Sequence, residues 1–136
     1  MSAELRFVLA LTGAAAIAGA VSIVGVYRQD AARVRVQAEA MTGGRTEAGR
    51  AAIGRYGCGS CHRIAGIPDA VGQAGPALDG IALRTQIAGR LPNRPDAMRL
   101  WLQHPQQVSP GTGMPDQGVT DRDARDISAY LYTLRR

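Results

Sequence analysis

The sequence predicts an all-α protein, with one N-terminal membrane-spanning helix followed by a small domain of short helices. Three features predict it. An uncharged run of 21 residues, Phe7 to Tyr27, lies near the N-terminus. Three short segments farther on carry helical start and stop signals, and none alternates apolar and polar residues as a strand would. Between them lie long stretches dense in Gly and Pro, which read as loops.

At 136 residues the chain has room for one ordinary domain beside that helix, and too little for a Rossmann or barrel enzyme. With 46% hydrophobic and 20% charged residues it is not disordered as a whole. All 16 basic residues are arginines, and the formal net charge is +5. No dense basic cluster accompanies that charge, so no nucleic-acid partner is expected. Two cysteines exclude a disulfide-rich scaffold and a four-thiolate zinc site.

As a helix, a run of this length rises about 30 Å, the thickness of a bilayer's hydrocarbon core. Arg6 and Arg28 bracket it, and Tyr27 suits the headgroup level. A secretory signal is the competing reading, because Ala18-Gly19-Ala20 offers a small-residue cleavage site. The start is barely basic, with Glu4 opposing Arg6, and the apolar run continues past that site to Val26, as an anchor requires. Residues 1–28 are therefore read as an uncleaved transmembrane anchor. Arg28, Arg33 and Arg35 follow the span, and on charge alone they would hold the C-terminal domain in the cytoplasm. The span is rich in Gly and Ala, from Gly13 to Gly25, which permits close approach in lipid. The anchor is expected to pack on other transmembrane subunits.

Residues 29–45 are read as the linker. Gln29 to Met41 extends the helix into water, and Thr42-Gly43-Gly44-Arg45 breaks it. The domain spans residues 46–136. Thr46 is the expected N-cap of a helix from Glu47 to about Tyr56, ended by Gly57 to Gly59. Pro95 opens a second helix through Gln103, stopped by Pro105. Thr120-Asp121-Arg122-Asp123 resembles a capping box, and the last helix is expected to run to about Leu134, with Ile127, Tyr130, Leu131 and Leu134 on one face. Residues 63–93 and 105–119 are read as loops. Three short helices with one Trp and no Phe bury too little apolar surface to stand alone. Another group must fill the centre.

The sequence names that group in Cys58-Gly59-Ser60-Cys61-His62. Two cysteines three positions apart can each form a thioether with a haem vinyl group, and the adjacent imidazole then faces the iron. The Cys-x-x-Cys-His run reads as a c-type haem attachment. A redox dithiol of the thioredoxin type would want a βαβ context, and half a zinc site would want two more ligands. For the second axial position the candidates are Met98, His104 and Met114. Met98 lies in a helix and reads as core; His104, at a helix end before Pro105, reads as a surface or capping residue. Met114 lies in Ser109-Pro-Gly-Thr-Gly-Met-Pro115, where core packing explains a thioether poorly. It is the expected iron ligand, opposite His62.

From about Thr46 onward the chain resembles a class I, mono-haem cytochrome c, of the membrane-anchored kind found in bacterial respiratory chains. The resemblance rests on Cys58, Cys61 and His62, on Gly75-Pro76-Ala77-Leu78, and on Met114-Pro115. It implies the cytochrome c fold of short helices wrapped on one haem c, held through two thioethers. It implies that the Pro76 carbonyl accepts a hydrogen bond from the proximal imidazole. It places Trp101 near the haem propionates, with Arg84 or Arg90 as their partner, and crosses the first and last helices at Gly49 and Tyr130. Haem attachment in this family is completed outside the cytoplasm. That implies a single-pass protein of the bacterial inner membrane with its haem domain on the periplasmic side, against the arginine count.

With both axial positions filled, the expected function is one-electron transfer by a carrier and not an enzyme of its own. The expected partners are a quinol–cytochrome c reductase and a terminal cytochrome oxidase. The first alternative is a fixed haem subunit of a larger respiratory oxidase or dehydrogenase. The second is a haem peroxidase or gas sensor, which requires a labile sixth ligand. From Arg45 onward 12 arginines face eight acidic residues. A basic rim that steers an acidic partner is one reading of that surplus, and ordinary solvated charge is the weightier one.

Overall fold

The structure, a computed structural model, describes residues 2–136. The chain divides into two units, Met1–Val34 and Arg35–Arg136. Helix α1 runs from Ala3 to Thr42. Within the first unit its large apolar side chains are exposed on every side, Ile17 at 68% and Val21 at 67% among them. A helix apolar all round suits lipid rather than water. The Thr12 hydroxyl donates to the Val8 and Leu9 carbonyls, so this polar group is satisfied within the helix. The helix is long and apolar enough to cross a membrane.

The second unit holds α2 (Thr46–Arg55), α3 (Pro95–Gln103), α4 (Pro105–Val108) and α5 (Asp121–Leu131). Single 3₁₀ turns lie at Cys58–Ser60 and Ile81–Leu83. Its centre is the packing of α2 on α5, with α3 against α5. Ala52, Ile53, Ala124, Ile127 and Leu131 fill the first contact, and Ala97, Met98 and Leu102 the second. A Cβ on Gly49 would collide with the Asp126 carbonyl, so glycine is what admits the close approach of the two helices. Tyr130, the residue expected opposite Gly49, lies one turn farther along α5 than Asp126. Its hydroxyl donates to the Ala65 carbonyl at 2.7 Å.

The helix ends differ instructively from the sequence reading. Helix α2 begins at Thr46 with Arg45 as N-cap, and no side chain of its own caps it. The Glu39 carboxylate, reaching from the end of α1, accepts from both the Thr46 amide at 2.9 Å and the Thr46 hydroxyl at 2.8 Å. Asp126 accepts from the Arg45 amide at 2.7 Å. Residues 35–42 thus belong to the domain's own unit, with Ala38 and Thr42 buried, and the helical break falls at Gly43–Arg45. The Thr120 cap holds as expected, its hydroxyl accepting from the Asp123 amide at 3.1 Å.

Helix α5 stops at Leu131, earlier than Leu134. Leu134 turns back to bury its side chain and accepts from the Ala82 amide at 3.1 Å. Pro105 ends α3 and also begins the one-turn α4, since its missing N–H costs nothing at a first helical position. A small antiparallel ladder pairs β1 (Gln86–Ile87) with β2 (Leu91–Pro92) where only loop was expected. Its turn places Ala88 and Gly89 at φ of 52° and 64°. Alanine at the first turn position carries no turn signal, so the sequence reads as loop here.

Candidate functional site

A cavity of about 500 Å³ opens inside the second unit. Cys58, Cys61, His62, Pro76, Arg84, Trp101 and Met114 all border it, together with buried Ile53, Met98 and Ile127. The residues singled out along the sequence therefore converge on one space, although Met114 lies 52 positions beyond His62.

The wall carrying the cysteines is built from local backbone. After α2, Gly57 turns the chain in the left-handed region and the 3₁₀ turn presents Cys58. The His62 amide donates to the Cys58 carbonyl at 3.0 Å. A second strip of chain laces onto this turn: Gly72 donates to Gly59 at 3.0 Å, Gly75 to Cys61 at 2.8 Å, and Leu78 to Arg63 at 2.9 Å. Burial pushes the Cys58 thiol up from its ordinary value, and the neighbouring Cys61 adds to this.

His62 is oriented by Pro76. Its Nδ1 lies 2.7 Å from the Pro76 carbonyl oxygen. A carbonyl only accepts, so Nδ1 carries the proton and donates. Nε2 is then the nitrogen that a metal would take in the neutral ring. Gly75 closes the arrangement. A Cβ there would stand 2.7 Å from the His62 Nδ1, so the strip passes flat against the ring only because residue 75 has no side chain.

The remaining residues separate clearly. Met98 is buried and also borders the cavity, a double placement that its helical position alone did not reveal. His104 is exposed at the junction of α3 and α4 and does not border the cavity. Of the two arginines offered for the propionates, Arg84 borders the cavity and Arg90 does not. Arg84 also donates to the Ala77 and Asp79 carbonyls, which braces the Pro76 strip. Sequence reasoning missed Gly75's contact with the ring and the contributions of Ile81 and Ile87, because the cavity is assembled by tertiary packing.

The donor set fits a haem: an apolar-walled space, two thiols and an imidazole side by side, and Met114 on the same space.

Comparison with known proteins agrees. A family model described as Cytochrome c matches residues 46–135, and the chain belongs to this family. It is a haem protein of electron transfer, mostly helical, preceded by a helix able to cross a membrane. Cytochrome c oxidase subunit 2 of Alkalihalophilus pseudofirmus is 32% identical over 88 residues, which cover 64% of this chain. The match spans 25% of that relative's length. No solved structure matches the chain.

Proposed function

We propose that the protein is a membrane-anchored, one-electron carrier whose haem is held by Cys58 and Cys61 and ligated by His62 and Met114. The observation that carries this reading is the convergence of both thiols, the Nδ1-protonated imidazole and the Met114 thioether on one apolar cavity. Haem iron with His and Met ligands shuttles one electron at a raised potential. Pro76 holds the imidazole with Nε2 free to bind, and its hydrogen bond makes that nitrogen a stronger donor. Trp101 and Met98 add apolar surface to the cavity wall. Arg84 supplies positive charge at its border for the propionates.

The apolar part of α1 anchors the domain in the bacterial inner membrane, with the domain on the periplasmic side. Anchoring confines the carrier to the layer that holds its partners, a quinol–cytochrome c reductase and a terminal oxidase, and so raises its local concentration. A second reading has its own support: the similar protein is named as an oxidase subunit, which favours a fixed haem subunit of such a complex.

The test is the Met114→Ala holoprotein. The iron–thioether absorption band of the oxidised state disappears and the midpoint potential falls. An unchanged band and potential would refute Met114 as ligand. Extraction in mild detergent then separates the two assemblies: a lone haem protein supports the carrier, and stoichiometric partners support the subunit.

A further inference from the structure

One side chain ties together the loop that carries Met114. Gln106, in α4, donates from Nε2 to the Thr112 carbonyl and to the Met114 carbonyl, each at 2.8 Å. Its Oε1 accepts from the Gly111 amide at 3.1 Å. Both donor hydrogens and the acceptor of a single primary amide are therefore spent on backbone groups of residues 111–114. The loop reciprocates, since Asp116 Oδ1 accepts from the backbone N–H of Gln106 at 3.3 Å. The segment has otherwise little to hold it: two glycines, two prolines and one backbone turn, Thr112 donating to Ser109 at 3.0 Å.

We propose that Gln106 is a positioning residue that fixes the Met114 loop, so that the Met114 thioether faces the haem cavity before iron binds it. This rests on the reading of Met114 as the axial ligand. A Gly-rich loop left free must lose conformational freedom each time the thioether engages. The Gln106 amide removes that freedom in advance, and a competing ligand then meets a closed site instead of an opening loop. Glutamate at this position would keep the acceptor for Gly111 and lose both donors, and its charge would repel the Thr112 and Met114 carbonyls.

The experiment uses the full holoprotein and imidazole as an exogenous ligand that competes with Met114 for ferric iron. In Gln106→Ala the loss of three side-chain hydrogen bonds strengthens imidazole binding by roughly 10- to 30-fold at neutral pH. In Gln106→Glu the iron–thioether absorption band weakens at neutral pH. It recovers in acid as the introduced carboxyl takes up a proton and regains one donor. This second variant decides the matter if the alanine form fails to fold. Imidazole affinity equal to wild type in Gln106→Ala, with a pH-independent band in Gln106→Glu, overturns the proposal. Met114→Ala keeps the two readings apart. If it binds imidazole no better than wild type, the ligand assignment itself has failed. If it binds much better while the Gln106 variants match wild type, the ligand stands and the clamp falls.

Discussion

His62 and its two neighbours in space set the chemistry of the site through contacts of a few ångströms. The Pro76 carbonyl selects the tautomer, and Gly75 leaves room for the ring. Gly75→Ala forces a methyl group into the imidazole, and such overpacking costs about 1–3 kcal/mol. Denaturant unfolding of the holoprotein measures it, with the same variant shifting the midpoint potential because the ring must turn. Pro76→Ala behaves differently, because the hydrogen bond comes from the backbone carbonyl. It keeps the bond and costs only about 0.4–1 kcal/mol through the freer unfolded chain. Equal damage from the two substitutions would contradict this division.

Helix α2 owes its seat to groups outside itself. Gly49→Ala drives a Cβ onto the Asp126 backbone, and about 1–3 kcal/mol of stability is expected to go with the α2–α5 contact. The Tyr56 hydroxyl, 2.9 Å away, holds the Asp123 carboxyl below its ordinary 3.8, with Thr120 and Arg55 adding to this. The Thr46 amide holds Glu39 below 4.5, reinforced by the Thr46 hydroxyl. Both groups take up protons more readily in the unfolded chain. Their contribution is present above those values and is lost as pH falls below them. Asp123→Asn is expected to show a shallower loss of stability across that acid window.

Tyr132 gives the opposite arm. Burial, with Asp96 nearby, pushes its hydroxyl from 10.0 up to about 12, and it donates to Asn93 at 2.9 Å. Its contribution is present below pH 10.0 and fades as pH rises toward about 12. Tyr132→Phe removes that alkaline slope in pH-dependent unfolding.

At the scale of the molecule, the family match begins at residue 46 while the compact unit begins at Arg35. The difference is the end of α1, where Ala38 and Thr42 are buried, Glu39 holds Thr46, and Arg135 donates to Gln37 at 2.9 Å. Two truncations test it. A holoprotein starting at Arg35 is expected to remain in solution without detergent, unlike the whole chain, because the apolar run is gone. One starting at Thr46 is expected to be less stable than the first by about 1–3 kcal/mol, the cost of leaving such buried groups without partners. Equal midpoints would show that residues 35–42 contribute nothing.

Much of this protein was readable along the chain, and for a shared reason. The apolar run of 21 residues, the Cys58-x-x-Cys61-His62 series and the Pro95 helix start are all patterns of near neighbours, whose chemistry depends on order and spacing alone. The methionine loop is singled out in the sequence because core packing explains its thioether poorly, whereas in the structure Met114 is half-buried against the core as well as bordering the cavity. What stayed hidden joins residues far apart: Glu39 on the start of α2, Gly49 against the Asp126 backbone, Gly75 against the His62 ring, Gln106 across the Met114 loop. Each is a choice of partner for a polar or close-packed group. Such a choice depends on which backbone atoms remain unsatisfied once the helices have packed, and that is settled only in three dimensions.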